Sequence, residues 1–65
     1  MNNLKNKIRK VCNTIRTDEI YFTCSDWKDR EVEGVKFLPV VKNDPSIDRG
    51  NQVVYYIRKD SLKFI

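Results

Sequence analysis

The length of the chain is the feature that most limits its fold. With 65 residues, it has room for one domain, and a chain of this size buries only about 60% of the surface that it exposes when unfolded. Such a small core needs tight packing, a covalent staple or a partner that covers more surface. Hydrophobic residues make up 40% and charged residues 34% of the chain, which is typical of a globular protein. We therefore expect residues 1–65 to form a single small domain.

The first predicted element is an amphipathic helix over residues 3–16. Apolar side chains recur there at the three- and four-residue intervals of one helical face, at Leu4, Ile8, Val11, Cys12 and Ile15. Asn2 or Asn3 can cap the first turn. The segment contains no glycine or proline that would interrupt a helix.

Three later segments alternate in the manner of half-buried strands, and we predict strands over residues 20–27, 32–41 and 52–58, with a loop over 42–51. Pro39 cannot donate a ladder hydrogen bond, so the second strand is expected at an edge or with a bulge. The predicted fold class is α+β: one helix on a three-stranded antiparallel sheet, in the order α-β-β-β. The alternative is a second helix within residues 18–33 followed by a long C-terminal hairpin, a truncated winged-helix layout.

Positive charge is concentrated near the N-terminus. The net charge is +4, and the first sixteen residues hold five cations and no acid. A row of Lys and Arg at helical spacing suits contact with phosphates, although it could also be a solvated face or pair with the acidic middle of the chain. We expect a small nucleic-acid-binding accessory module, for DNA in the first instance. The candidate phosphate contacts are Lys5, Lys7, Arg9, Lys10, Arg16, Arg58, Lys59 and Lys63.

Aromatic side chains suggest a second class of function. One face of the third predicted strand carries Tyr56 and Arg58, and aromatic residues among cations can stack single-stranded bases or form a protein-binding hot spot. The alternative hypothesis is therefore a small inhibitor or adaptor that docks on a larger host protein through its sheet face or its Pro39 edge strand. A homodimer is a further option for so small a core. The candidate protein-contact residues are Tyr21, Trp27, Arg49 and Tyr56.

Catalytic and metal-binding patterns are absent from the sequence. The chain has no His and no glycine-rich phosphate loop, so a His-activated nucleophile is excluded. Asp44, Ser46 and Asp48 alternate like calcium ligands, but Arg49 stands where a calcium loop needs its glycine and Tyr55 where it needs the bidentate Glu. We expect no enzymatic activity, no metal, no cofactor and no small-molecule substrate.

The two cysteines, Cys12 and Cys24, could form one disulfide. The opening residues lack the apolar run of a signal peptide, and no stretch reaches the roughly 20 apolar residues of a membrane span. We therefore expect reduced thiols in a cytoplasmic protein, without membrane binding, since the basic segment has no Trp or Phe anchor. The compact composition, rich in Asn, Lys and Ile, resembles that of small accessory proteins of bacteriophages or mobile elements, which implies a role in binding.

Overall fold

The computed structural model describes residues 7–48 and 52–65, and this part of the chain is built from short strands. In chain order, the elements are β1 (Ile8–Asn13), β2 (Ile20–Cys24), β3 (Arg30–Val32), β4 (Val35–Val40), β5 (Tyr55–Arg58), a one-turn 3-10 helix (Lys59–Ser61) and β6 (Leu62–Phe64).

The strands form two small antiparallel sheets. The first has the order β2-β1-β6, and Val11 of its central strand lies opposite both Tyr21 and Phe64. The second has the order β3-β4-β5, and Phe37 of its central strand lies opposite both Arg30 and Arg58. The sheets are joined just after β4.

At this junction, Phe22 of β2 and Val41 each donate a backbone N–H to the other's carbonyl oxygen, both at 2.8 Å. Two reciprocal bonds of this kind are the unit of an antiparallel ladder. The junction therefore fixes the two sheets against each other without a full strand pairing.

The core lies between the facing sides of the two sheets. Val11 and Val40 are fully buried, and Leu38 is nearly so. Tyr21, Ile57 and Leu62 pack against these three residues. Strands β1, β2, β4, β5 and β6 each contribute a side chain to this one cluster. The packing of both sheets therefore depends on the same few apolar contacts.

The predicted N-terminal helix, and with it the α-β-β-β fold, is wrong: within the described part of residues 3–16, Ile8–Asn13 is a strand. Ile8 and Cys12 are four residues apart, which places them on one face of a helix. Side chains alternate along a strand, so the same even spacing also places them on one face of a strand. A helix of that length is marginal by itself, whereas β1 has its backbone paired on both edges. Tertiary pairing therefore outweighs local propensity.

The other layouts need correction as well. The alternative with a second helix in residues 18–33 is wrong, because that segment holds β2 and β3. A single three-stranded sheet is also wrong. β2, β4 and β5 fall inside the predicted strand ranges. β3 overlaps the predicted range 32–41 only at Val32, and β6 lies outside all three predicted ranges.

The turn after β1 is made by a side chain. The Asn13 side-chain oxygen accepts the backbone N–H groups of Ile15 at 2.8 Å and Arg16 at 2.9 Å. Such bonds are typical of Asn in turns and compete with a continuing helix. They end β1 and direct the chain back toward β2.

Pro39 lies in the central strand of its sheet, and neither an edge position nor a bulge explains how it is tolerated. Its carbonyl oxygen accepts the buried Thr23 hydroxyl at 2.6 Å, so it points toward β2 and away from β5. In an antiparallel strand the N–H and C=O of one residue point to the same side. The missing N–H of Pro39 therefore falls beyond the end of β3, where no ladder bond is lost.

No helix within residues 7–48 and 52–65 is long and apolar enough to cross a membrane.

Candidate functional site

The face of the β3-β4-β5 sheet that points away from the core, here called the outer face, carries aromatic and cationic side chains. Leu38 and Ile57 face the core, so alternation turns their neighbours outward. The register sets Arg30, Phe37 and Arg58 in one row across the sheet, and Pro39 opposite Tyr56 in the next row.

A cleft of about 330 Å³ opens on this outer face. Its lining residues come from the turn after β2, from β4 and from the approach to β5: Trp27, Lys28, Pro39, Val54 and Tyr56. The Trp27 backbone N–H donates to the Cys24 carbonyl at 3.0 Å, which fixes the turn that carries the indole ring. The cleft thus has an aromatic residue on each of two elements and the buried Pro39 between them.

Two cations border the cleft. The Arg30 guanidinium lies over the Tyr56 ring, 4.5 Å from its centroid, a cation–π geometry that restrains the arginine side chain. Lys28 lies on the cleft wall. Neither cation forms a salt bridge with any carboxylate in the described residues. The cleft therefore combines aromatic surface with uncompensated positive charge.

A second cavity, of about 380 Å³, lies at the other end of the same sheet. It is lined by Gly34, Val35, Lys36, Arg58, Lys59 and Asp60. Arg58 and Asp60 form a two-pronged ion pair in it, with Nε to Oδ1 at 3.1 Å and a terminal nitrogen to Oδ2 at 2.8 Å. Hydrogen bonding from Arg58 lowers the pKa of Asp60, and the same bond raises the pKa of Arg58.

The cations predicted to line a basic helix do not form a row. Arg9 and Lys10 are successive residues of β1 and point to opposite faces, and Lys10 lies 5.7 Å from the Phe22 ring centroid. Lys7 pairs with Asp26 at 3.1 Å. Lys5 lies outside the described residues.

The remaining candidate cations are dispersed too. Arg16 pairs with Glu19 at 3.4 Å in the loop after β1. Lys63 lies opposite Cys12 in the first sheet. Of the predicted phosphate contacts, only Arg58 and Lys59 lie together in one cavity of the described structure.

The predicted protein-contact residues divide in a similar way. Trp27 and Tyr56 meet at the cleft. Tyr21 packs on the core instead, where its hydroxyl donates to Glu19 at 3.3 Å, and burial is the main cause of its raised pKa. Arg49 lies outside the described residues.

Sequence reasoning missed three residues of the outer face, Lys28, Arg30 and Val54, and placed Pro39 on an edge strand instead of beside Tyr56. The β4-β5 register could have corrected the position of Pro39, since its pairing with Tyr56 follows once Leu38 and Ile57 are set on the core side. Lys28 and Arg30 carried no such signal, because the strand that positions Arg30 is only three residues long.

The described residues hold no group of three or more His, Cys, Asp or Glu side chains that could bind a metal. Cys12 and Cys24 are both free and buried. Cys24 lies opposite Ile8 in the sheet register, four positions from Cys12, a separation of roughly 13 Å at the rise of a strand. That is beyond the roughly 7 Å between Cα atoms that a disulfide can span.

Comparison with known protein families, curated proteins and solved structures finds no match to this chain.

Proposed function

We propose that this protein is a non-catalytic binding domain that takes a short stretch of single-stranded nucleic acid on its outer face. The observation that carries the proposal is the cleft between Trp27 and Tyr56, bordered by Lys28 and Arg30. Aromatic rings and neighbouring cations are the two components that sheet surfaces use to bind single strands.

Each part of the cleft has a function in this proposal. A base enters between the indole and the phenol and stacks on one of them, an interaction worth about 1–3 kcal/mol per base. The phosphates on either side of that base lie near Lys28 and Arg30. Since neither cation forms a salt bridge with a carboxylate of residues 7–48 and 52–65, their charge is available to the backbone of the ligand. The net charge of +4 acts in the same direction over longer range.

A single strand is favoured over a duplex by the loss of the predicted helix. The case for duplex DNA depended on a row of phosphate contacts along one helical face, and β1 turns Arg9 and Lys10 to opposite sides. The cleft, in contrast, needs an unstacked base, which a duplex does not offer.

The test uses two adjacent tyrosines of β5. Tyr55 and Tyr56 are 40% and 43% exposed, and each lies under a cation, but they point to opposite faces of the sheet. We expect Tyr56→Leu to weaken binding of a fluorescent hexathymidylate by at least about fivefold, the lower end of a stacking contribution. Tyr55→Leu, the matched control, should change it less than about twofold. Fluorescence anisotropy at two salt concentrations measures both.

Equal losses in the two variants, or no binding at low salt, would contradict the proposal. Trp27 supplies an independent signal, because it is the single tryptophan of the chain. Stacking of a base on the indole should quench the tryptophan fluorescence during the same titration. The single variant Trp27→Leu, like Tyr56→Leu, should reduce the affinity for hexathymidylate.

Docking of a protein segment is the second candidate. The apolar residues Pro39 and Val54 at the cleft favour it, since they suit an aliphatic or aromatic side chain, and Tyr, Trp and Arg are enriched in binding hot spots. This candidate predicts a protein complex that Trp27→Leu abolishes and that depends only weakly on salt. A complex unaffected by Trp27→Leu would exclude the cleft as its docking site.

A further inference from the structure

The second cavity of the β3-β4-β5 sheet, next to the 3-10 helix, has the composition of an anion site. Three cations line it, Lys36, Arg58 and Lys59, against one acid, Asp60. Lys59 also bonds Asp29 at 3.1 Å, which holds the 3-10 helix against the start of β3. Lys36 forms no salt bridge within the described residues, although Glu31 lies opposite it in the β3-β4 register. The residues that line the cavity therefore carry more positive than negative charge.

We infer that this cavity is a phosphate-binding subsite, and that Asp60 occupies the guanidinium fork of Arg58 until a phosphate replaces it. A carboxylate and a phosphate offer an arginine the same arrangement of two oxygen acceptors. The two bonds at 3.1 and 2.8 Å show that the fork is already positioned for such a pair. Asp60 is thus an internal substitute for the anion.

Exposure makes the exchange feasible. The side chains of Arg58 and Asp60 are 57% and 67% exposed, and ion pairs in contact with water contribute little to stability. A phosphate can therefore reach Arg58 and displace Asp60 without opening the fold. Lys36 and Lys59 then add attraction that Asp60 alone does not use.

The two cavities are spaced for one strand. Tyr56 lines the cleft and Arg58 lines the second cavity, and these residues lie on the same face of β5, roughly 7 Å apart at about 3.4 Å per residue. Roughly two nucleotides cover that distance at about 3.4 Å per nucleotide along one strand. If the phosphate in this cavity belongs to a nucleic-acid strand, the inference rests on the proposed function. The same cavity would take a free polyphosphate independently of it.

The experiment compares Asp60→Asn with Asp18→Asn. Both substitutions remove one negative charge, but Asp18 lies in the β1-β2 loop and lines a different cavity. The ligands are tripolyphosphate, the nucleoside thymidine and a hexathymidylate. We expect Asp60→Asn to tighten tripolyphosphate and hexathymidylate binding by roughly fourfold, the effect of one charge at about 5 Å in water. Thymidine binding should change much less, because a nucleoside carries no phosphate that could replace Asp60.

Arg58→Gln supplies the converse result. It should reduce the salt dependence of hexathymidylate binding by about 0.7 in the logarithmic slope, the value for one phosphate on a single strand. In NMR spectra, the Arg58 Nε–H signal should shift on addition of tripolyphosphate.

The outcomes separate this inference from the proposed function. Equal effects of Asp60→Asn and Asp18→Asn, with no shift at Arg58, would overturn the subsite even if Tyr56→Leu still weakened strand binding as proposed. Tripolyphosphate binding at Arg58 without any binding of hexathymidylate would support the subsite and overturn the proposed function, leaving a site for free phosphates.

Discussion

Tyr55 and Tyr56 are neighbours in sequence and nearly equal in exposure, yet they belong to different surfaces. Tyr56 lies under Arg30 and forms one wall of the cleft with Trp27. Tyr55 lies beside the loop that follows β4, where the Lys42 Nζ is 5.4 Å from the centroid of the Tyr55 ring. The pleat of one short strand thus gives two identical side chains separate environments. What distinguishes them is the neighbouring elements: β3 and the Trp27 turn on one side, the loop on the other.

The loop on the Tyr55 side is closed by Gln52. Its side-chain oxygen accepts the Asn43 N–H at 2.9 Å, and its side-chain nitrogen donates to the carbonyls of Asn43 at 2.9 Å and Asp48 at 3.0 Å. These polar bonds occupy the groups nearest Tyr55. The Tyr56 side has no comparable set of bonds among its described residues. Its cleft of about 330 Å³ is larger than the cavity of about 190 Å³ beside Tyr55.

The largest expected effect removes both surfaces together. Leu38 of β4 is buried in the core opposite Ile57 of β5, and Leu38→Ala should lower the free energy of unfolding by about 2–5 kcal/mol. For a domain of this size that is a large part of the total stability. Urea denaturation followed by circular dichroism measures it. A loss below about 1 kcal/mol would show that the core does not hold β4 and β5 in place.

A smaller loss of stability, with its structural changes on the Tyr56 side of β5, is expected from a substitution of Thr23. Thr23→Val removes the hydroxyl that donates to Pro39 at 2.6 Å and leaves a buried carbonyl without its partner. We expect a loss of about 1–3 kcal/mol, with NMR shift changes spreading from Thr23 to Trp27 and Tyr56. Shift changes confined to Tyr55 and Lys42 would contradict the role of Thr23 in supporting the cleft.

A change of about 1 kcal/mol or less is expected from Gln52→Ala, because its three bonds are exposed. Hydrogen exchange at the Asn43 amide should accelerate, while affinity for a ligand in the cleft stays the same. A parallel loss of affinity would show that the two sides of β5 are coupled, and would contradict the conclusion that Tyr55 and Tyr56 belong to separate surfaces.

The smallest effect concerns Tyr21, which packs on the core and whose pKa is raised, chiefly by burial. Its folded-state pKa lies above the unfolded value of about 10. Its contribution to stability is therefore fully present below that pH and is lost as the pH rises through the folded-state value. Tyr21→Phe should flatten the alkaline limb of a stability profile measured by urea denaturation at pH values from 8 to about 11. If the alkaline limb is the same in Tyr21→Phe, the loss of stability at high pH comes from other groups.

The sequence was most informative where strands alternate over a single buried face. Tyr55-Tyr56-Ile57-Arg58 and Val35–Val40 were predicted as strands because β-branched and aromatic residues alternate there, and β5 and β4 lie within those ranges. Ile8–Asn13 was misassigned because its apolar spacing satisfies both periods and because its strand pairing involves residues about 10 and 50 positions away. Such distant partners are not visible in local spacing.

The candidate site was predictable only in part for the same reason. Trp27, Tyr56, Arg58 and Lys59 were singled out by residue type. That Trp27 and Tyr56 share one cleft, while Arg58 and Lys59 share another, depends on the register of β3, β4 and β5. The basic N-terminal segment has the stronger signal by charge alone, but its described cations Arg9, Lys10 and Arg16 are distributed over two faces of β1 and a loop.

The most direct test of the central claim is NMR chemical-shift mapping of the isotope-labelled protein during titration with hexathymidylate. Binding on the outer face predicts the largest shifts at Trp27, Arg30 and Tyr56, with small shifts at Tyr55 and Lys42. Largest shifts at Arg9, Lys10 and Lys63, or no shifts at low salt, would contradict it.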